Sequence, residues 1–150
     1  MIASETCAVC GSPPRLFGHE TCEMVDSAPL MKLSVLDLFA GTGSSTMAVV
    51  DRGHTVTTVE LDPSHNPDIV ADVTKLDAKN LVEQFGPFDF VWASPPCTAF
   101  SVASIGHHWQ GDAYGKSPKT QDAVDAQETV RATLALIESL NPTVGFLMEN

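Results

Sequence analysis

From Met31 onward, short apolar runs alternate along the chain with polar or helix-like stretches. Apolar runs without strict alternation are typical of strands buried on both faces of a sheet, and apolar positions three or four residues apart are typical of helices. The pattern predicts strands at residues 33–39, 54–61, 68–71, 88–93 and 143–148, and helices at 44–52, 77–85 and 120–140. This order of elements predicts an α/β fold with a parallel sheet and right-handed crossovers.

The last predicted helix is the longest. Thr120 can cap its start, Asn141-Pro142 ends it, and Val130, Leu134 and Ile137 share one face, which we expect to be buried. The preceding segment, 100–119, is rich in Gly, His and Ser. It is longer than most connections in compact domains, so we expect a functional loop there.

Polar residues and glycines fall where the predicted strands end: Gly41, Glu60, Asp72, Cys97 and Glu149. In parallel sheets, ligands bind beyond the carboxyl ends of the strands. Because several independent signals coincide at this edge, the sequence predicts a ligand site there.

The first two strand ends have the residue types of a nucleotide site. Gly41 and Gly43 lie between a strand and a helix, where glycine lets the backbone approach a ligand closely, although a simple tight turn uses the same residues. Glu60 is placed to accept hydrogen bonds from ribose hydroxyls; Asp62 is a competitor for that role, and a solvated loop carboxylate is the alternative. Asp72 could accept from an adenine amino group, or be a surface acid.

The Ser94-Pro95-Pro96-Cys97 segment is the most specific feature. Two prolines stiffen the backbone just past a buried strand, so the cysteine side chain projects in a fixed direction. An inert structural cysteine would more commonly lie inside an apolar strand, and we therefore expect a nucleophile. At the end of the last strand, Glu149 is either a proton donor whose pKa is raised by burial or a surface acid.

These segments resemble a known family. DLFAGTG (37–43), VELD (59–62), ADV (71–73), PPCTAFS (95–101) and LMEN (147–150) resemble, in order and spacing, the motifs of the DNA cytosine-5 methyltransferase family. The likeness covers about residues 31–150, and in particular the chain looks like the short methylases of bacteriophages, some of which act in restriction-modification.

The resemblance implies a Rossmann-like, S-adenosylmethionine-dependent methyltransferase sheet and a role for each matching residue. Cys97 would be the nucleophile that adds to carbon 6 of a flipped cytosine in DNA, and Glu149 would contact ring nitrogen 3. The segment 100–119 would close over the flipped base. The cofactor-binding residues would be Phe39, Ala40, Gly41, Gly43, Glu60, Leu61, Asp72, Val73 and Pro95.

The sequence also departs from the family pattern. Ser44 stands where another glycine is usual, and Thr98 replaces the usual glutamine after the cysteine. The family continues beyond Glu-Asn with further strands, arginine-bearing motifs and a target-recognition region. We therefore expect the sheet to be incomplete at its C-terminal side, and the chain to be a fragment or to need a further polypeptide that supplies target recognition.

Residues 1–30 differ in character from the rest, which predicts a small extension before a catalytic domain at 31–150. Cys7, Cys10, His19 and Cys22 have the spacing Cys-x2-Cys-x8-His-x2-Cys, which suits tetrahedral zinc. A disordered tail with incidental cysteines is the alternative. His107 and His108 are interpreted as loop residues rather than metal ligands.

Charge and composition change this picture in two ways. The formal net charge is −11 with only eight Lys plus Arg, although basic side chains supply most of the non-specific affinity for nucleic acid. This balance argues against the chain acting on DNA alone. No apolar run is long enough to span a bilayer and no signal peptide is recognisable, which predicts a cytoplasmic protein of a bacterium or of a phage-infected host.

Two other functions remain open. An RNA cytosine-5 methyltransferase of related sequence would use the same residues. A catalytically inactive module that binds S-adenosylmethionine and uses the zinc element for contacts would fit the acidic charge. Methylation of an exocyclic amino group is disfavoured, because it needs no cysteine nucleophile.

Overall fold

A parallel sheet runs through the part of the chain that the structure describes. The computed structural model describes residues 31–112 and 115–150, so the predicted extension lies outside it. The strands in chain order are β1 (Ser34–Leu38), β2 (Thr55–Glu60), β3 (Ile69–Val70), β4 (Phe90–Ala93), β5 (Trp109–Asp112), β6 (Gly115–Pro118) and β7 (Gly145–Met148). Five of them form one sheet in the order β3-β2-β1-β4-β7, in which all pairs are parallel. The predicted α/β fold is confirmed.

The helices lie between these strands. They are α1 (Met47–Asp51), α2 (Ala78–Phe85), α3 (Ile105–His108) and α4 (Gln121–Leu140), with 3-10 turns at Pro63–His65 and Val73–Lys75. Thr120 caps α4 as predicted, since its side chain accepts a hydrogen bond from Ala123 N. Asn141 ends the same helix in the left-handed conformation. The first helix is shorter than predicted, because the chain makes turns as far as Thr46.

The core lies on the face of the sheet that α2 and α4 cover. Leu36 and Leu38 of β1 are fully buried, and their register partners Val91 and Ala93 on β4 are buried beside them. The same cluster contains Val59, Val73, Leu81, Phe88, Leu136, Ile137 and Leu140. Because these strands are paired in register and their inward side chains are buried, the carboxyl ends of β1, β2 and β4 are held in fixed relative positions.

The prediction of which face of α4 is buried was partly wrong. Ile137 is buried, but Leu134 is 43% exposed, and the core positions are Thr133, Leu136 and Leu140. The error arises because a threonine occupies the buried stripe. Its hydroxyl donates to the carbonyl of Thr129 at 2.8 Å, so the polar group is satisfied within the helix.

The segment 100–119 is also more ordered than the expected loop. It contains α3, β5 and β6, and the last two pair antiparallel. The β5 and β6 sequences, WQGD and GKSP, contain glycine, proline and charged residues rather than alternating apolar ones. A strand pair of this composition gives no hydrophobic signal, and its position rests on the buried side chain of Trp109.

Candidate active site

The ends of neighbouring strands bring the predicted site residues to one edge of the sheet. Backbone hydrogen bonds continue past each strand: Ala40 N donates to Val59 O at 3.1 Å and Ser94 N to Leu38 O at 3.1 Å. Glu149 N donates to Ala93 O at 2.9 Å. The residues that follow β1, β2, β4 and β7 are therefore held side by side.

The turn after β1 has an unusual backbone. Phe39, Gly41 and Gly43 have positive φ values of 65°, 53° and 73°. Glycine adopts this conformation freely, whereas a phenylalanine does so only where its surroundings impose it. Gly43 N donates to Ala40 O at 2.8 Å, which closes the turn. The turn thus follows a defined path close to the end of β2.

Asp37 holds the far side of this turn, a role that the sequence analysis missed. Its side chain is fully buried and accepts hydrogen bonds from the hydroxyls of Thr46 at 2.7 Å and Ser45 at 3.2 Å. Burial raises the pKa of Asp37, although the two hydroxyl bonds act in the opposite direction. Its Oδ1 atom has no hydrogen-bond partner within the described residues. An acid inside the apolar run LSVLDLF was the available signal.

Glu60 connects the turn to the end of β2. Its Oε2 accepts from Gly41 N at 2.9 Å, and its Oε1 accepts from Leu61 N at 2.7 Å and Asp62 N at 3.1 Å. Partial burial acts to raise the pKa of Glu60, but the three backbone bonds outweigh it and lower the pKa. The side chain is therefore a fixed, ionised acceptor.

A cleft of about 570 Å³ opens beside these residues, a volume within the range of small-molecule sites. Its walls include five of the predicted cofactor-binding residues: Phe39, Glu60, Leu61, Asp72 and Val73. Of the remaining four, Gly41 reaches the cleft through its bond to Glu60. Ala40, Gly43 and Pro95 are not among the described residues that line it, and Pro96 lines it in place of Pro95.

Asp72 lines this cleft, and part of its hydrogen-bond acceptor capacity is already used. The Oδ1 atom of Asp72 accepts from the backbone N–H of Thr74 at 3.0 Å and from the Thr74 hydroxyl at 2.7 Å. Lys75 lies 3.2 Å from the other oxygen. The hydrogen bond from the Thr74 side chain is the main cause that lowers the pKa of Asp72, so the carboxylate is ionised.

One wall of the cleft comes from α4 and was not predicted. Asp125, Glu128 and Thr129 line it opposite the strand ends. They are three and four residues apart, which places them on one face of the helix. This polar stripe in the first turns of a predicted helix was the signal that could have identified them. A smaller cavity of about 370 Å³ shares Pro96, Asp125 and Thr129 with the cleft and extends to Thr98 and Ala99.

Cys97 lies on a tight turn directly after β4. Its thiol is exposed and unpaired, and Pro95 before it is buried. The Cys97 carbonyl accepts from Phe100 N at 2.9 Å and from Ser101 N at 3.0 Å. The backbone is thus fixed on both sides of the thiol.

The end of β7 meets this turn through Asn150. Its side-chain amide donates to Pro95 O at 3.0 Å and lies 3.5 Å from Pro96 O. Glu149, the preceding residue, is exposed. The structure therefore brings the strand that carries Glu149 to the turn that carries Cys97. The sequence motif LMEN includes Asn150, but no role was predicted for this residue itself.

The predicted zinc ligands Cys7, Cys10, His19 and Cys22 lie outside the described residues. Within residues 31–112 and 115–150, no group of three or more His, Cys, Asp or Glu side chains is arranged to hold a metal. His108 instead has its Nδ1 atom 2.8 Å from the Thr120 hydroxyl. No helix in this part of the chain has the length and apolar character needed to cross a membrane.

Comparison with solved structures agrees with the fold. A SAM-dependent methyltransferase from Agrobacterium tumefaciens superposes with a TM-score of 0.51 at 13% identity, over 86% of this chain and 42% of that one. The glycopeptide N-methyltransferase MtfA, crystallised with (S)-adenosyl-L-methionine, gives a TM-score of 0.46 at 19% identity, over 86% and 52% of the two chains. The first of these similarities supports a methyltransferase-like sheet.

Sequence comparison identifies the family. The "Probable DNA (cytosine-5)-methyltransferase" of Frog virus 3 (isolate Goorha) is 36% identical over 121 residues, which are 79% of this chain and 53% of the viral protein. The chain thus spans about half the length of this relative. The model of the C-5 cytosine-specific DNA methylase family matches residues 33–150. The chain belongs to the C-5 cytosine-specific DNA methylase family.

Proposed function

We propose that this protein acts as the cofactor-binding and nucleophile-bearing part of a DNA cytosine-5 methyltransferase that uses S-adenosylmethionine. The observation that carries the proposal is the junction of β7 with the Cys97 turn through Asn150, at the same sheet edge as Glu60. An exposed cysteine, a carboxylate on the adjoining strand and a nucleotide-sized cleft are the parts that this reaction needs. Membership of the methylase family supports the same assignment.

The cleft residues fit S-adenosylmethionine by their chemistry. Glu60 is fixed by three backbone bonds, and its Oε2 atom, which accepts only one of them, retains acceptor capacity for a ribose hydroxyl. Leu61 and Val73 offer apolar surface for the adenine, and Asp72 lies beside them as an acceptor for its amino group. Phe39 would contact the methionine part. When bound, the cofactor supplies a methyl group on a positively charged sulfur.

Cys97 would start the reaction. As a thiolate, its sulfur adds to carbon 6 of the cytosine, and the electron density that reaches carbon 5 makes that atom nucleophilic. Glu149 would stabilise the charge that develops at ring nitrogen 3. Carbon 5 would take the methyl group from the cofactor, with the sulfur–methyl bond breaking to leave a neutral thioether. Carbon 5 would then lose its proton to a base, the bond between carbon 6 and the Cys97 sulfur would break, and Cys97 would leave as a thiolate.

The cytosine must be unstacked to reach the thiol, at a cost of about a few kcal/mol. The segment that contains α3, β5 and β6 follows the Cys97 turn directly. We propose that it contacts the flipped base or its flanking backbone. A further polypeptide would supply target recognition, because eight Lys plus Arg in an acidic chain offer few partners for phosphate.

The test is covalent trapping. DNA that contains 5-fluorocytosine cannot lose a proton from carbon 5, so the adduct with Cys97 should persist in the presence of cofactor and be detected by mass spectrometry. Cys97→Ala should abolish it, whereas Ser139→Ala, an exposed change in the last turn of α4, should not. A parallel 5-fluorocytosine RNA tests the RNA alternative. Cofactor binding without an adduct on either nucleic acid, also in the presence of any partner that co-purifies, would contradict the proposal and favour the inactive binding module.

The zinc proposal is separate and rests on spacing alone. Cys7, Cys10, His19 and Cys22 offer three thiolates and one imidazole, a ligand set typical of structural zinc. Elemental analysis of the purified protein decides it. We expect about one equivalent, and less than about half an equivalent would end the proposal.

A further inference from the structure

Besides Asn150 and Ser104, the side chain of Trp109 contacts the turn that carries Cys97. The indole Nε1 of Trp109 donates to the carbonyl of Ala99 at 2.7 Å, and both residues are buried. The indole ring also stacks on Phe100, with 5.4 Å between ring centroids and 29° between planes. Trp109 thus contacts the second and third residues after the nucleophile.

These two contacts act on the bonds that define the turn. The backbone N–H of Phe100 donates to the Cys97 carbonyl, and the ring of the same residue stacks on the indole. The neighbouring Ala99 carbonyl is fixed in direction by the indole N–H. Movement of the Trp109 ring would therefore change the backbone geometry at Cys97 and the direction of its thiol.

Trp109 has no part in the main core. Among the described residues, the buried cluster under the sheet comes from the strands, α2 and α4, and contains neither Trp109 nor Ala99. The segment around Trp109 is instead attached to the start of α4. Lys119 N donates to His108 O at 2.7 Å, and His108 contacts the capping residue Thr120. The burial of Trp109 therefore serves the Cys97 turn rather than the stability of the sheet.

We propose that Trp109 is a positioning residue that fixes the Cys97 turn for attack on the cytosine. The effect of Trp109 on the attack rests on the proposed function, whereas its effect on the turn rests on the geometry alone. The hydrogen bond sets the direction of the Ala99 carbonyl, and the stacked rings exclude water from it.

Two substitutions separate the contacts. Trp109→Phe keeps an aromatic ring and removes the donor, whereas Trp109→Leu removes both. Phe85→Leu, an exposed aromatic at the end of α2, is the control for loss of a ring. Hydrogen exchange followed by mass spectrometry on the full chain should show the amides of Phe100 and Ser101 exchanging roughly three- to tenfold faster in Trp109→Phe, and faster still in Trp109→Leu. Exchange in β1 should not change.

Kinetics provide the second readout. At saturating cofactor and 5-fluorocytosine DNA, the rate of adduct formation should fall roughly three- to tenfold in Trp109→Phe, with the cofactor Kd changed less than about twofold. Unchanged exchange at the turn would overturn the inference. Faster exchange throughout the sheet, or a local change without slower trapping, would also overturn it.

Failure of the proposed function has a different signature. If the wild-type protein formed no adduct, trapping would be lost for every variant. The exchange of the Phe100 and Ser101 amides would still decide whether Trp109 fixes the turn.

Discussion

Two carboxylates on either side of the same glycine turn have opposite protonation behaviour. Burial raises the pKa of Asp37, which is in contact with hydroxyl groups, whereas three backbone N–H groups lower the pKa of Glu60. The charge on Glu60 also contributes to the raised pKa of Asp37. The pKa of Asp37, which organises the turn, is thus raised, and the pKa of Glu60, which faces the cleft, is lowered.

Glu60→Gln should weaken S-adenosylmethionine binding. The single carbonyl oxygen of Gln cannot accept both from Gly41 N on one side and from Leu61 N on the other, and the amide group has no charge. Calorimetric titration should show a Kd raised by about tenfold or more, since hydrogen bonds to a charged group contribute about 1.5–3 kcal/mol. Glu83→Gln, an exposed carboxylate on α2 outside the cleft, is the matched control. Equal affinities for Glu60→Gln and the wild type would contradict this role.

Replacement of Asp37 should affect stability in a pH-dependent way. Asp37→Ala removes the acceptor for Ser45 and Thr46, and we expect a loss of about 1–3 kcal/mol in the free energy of unfolding. Asp37→Asn keeps an acceptor and cannot ionise. Because burial raises the pKa, the contribution of Asp37 to stability is fully present below its unfolded value of about 3.9 and is lost as pH rises through the higher folded value.

Urea denaturation at several pH values tests this sign. The stability of Asp37→Asn relative to the wild type should increase from acidic to neutral pH. A difference that is independent of pH would show that the buried carboxyl does not titrate in this range.

At the scale of elements, Asp89 joins three strands at the edge opposite the cleft. Its Oδ2 accepts from Ser34 N at 2.8 Å, at the start of β1, and its Oδ1 accepts from the Thr143 hydroxyl at 2.7 Å, just before β7. The Asp89 carbonyl accepts from Val144 N at 2.8 Å. This residue therefore sets the relative positions of β1, β4 and β7, on which the active-site edge depends.

Asp89→Asn should reduce thermal stability at neutral pH. The asparagine side chain has one acceptor oxygen where aspartate has two. It therefore loses one of the two hydrogen bonds, from Ser34 N or from the Thr143 hydroxyl. The bond from Ser34 N is the main cause that lowers the pKa of Asp89. Its stabilising effect is therefore present above the unfolded value of about 3.9 and is lost as pH falls through the lower folded value.

Circular dichroism should show a melting temperature lower by roughly a few degrees at pH 7. The two melting temperatures should converge as the pH falls through the lowered folded pKa of Asp89 and its carboxyl becomes protonated. Asp51→Asn, at the exposed end of α1, should show no such pH-dependent difference. A difference in melting temperature between Asp89→Asn and the wild type that persists at acidic pH would contradict the role of ionised Asp89.

The predictability of each element followed its hydrophobic signal. The strands of the sheet were predicted from short apolar or β-branched runs, and α4 from its length and its clear cap. β5 and β6 were missed because their stability comes from Trp109 and from pairing, not from alternation. The site residues at strand ends, Glu60 and Cys97, followed from topology. The α4 wall at Asp125 and the buried role of Asp37 left only weak signals, a polar helix stripe and an acid in an apolar run, because what these side chains face depends on packing between distant segments.

At the scale of the whole molecule, the described part of the sheet has β7 at one edge. Within the described residues β7 pairs only with β4, and its side chains Phe146 and Leu147 are 51% and 42% exposed. Adjacent strand residues point to opposite faces, so both faces are apolar at this edge. Exposed apolar edges of this kind are sites of association, and the proposed further polypeptide could bind there.

The charge of the chain leads to a prediction about DNA. With a formal net charge of −11, the 150-residue protein should bind duplex DNA only weakly. Fluorescence anisotropy at physiological salt should give a Kd no tighter than about 10⁻⁵ M, within the range of non-specific binding. Weak binding would agree with target recognition by another polypeptide. Submicromolar binding by the chain alone would show instead that it carries its own recognition surface.

The residual binding should depend on the cations that follow the Cys97 turn. Lys116 and Lys119 are exposed in and after β6, and Lys119 is joined by its backbone to His108. Lys116→Glu with Lys119→Glu should weaken anisotropy binding further and flatten its dependence on salt, because fewer counterions are released when two phosphate contacts are lost. Lys32→Glu with Lys79→Glu makes the same change in net charge away from the turn. Equal effects of the two pairs would mean that net charge alone governs binding, whereas a larger effect of the first pair would place the nucleic acid beside Cys97.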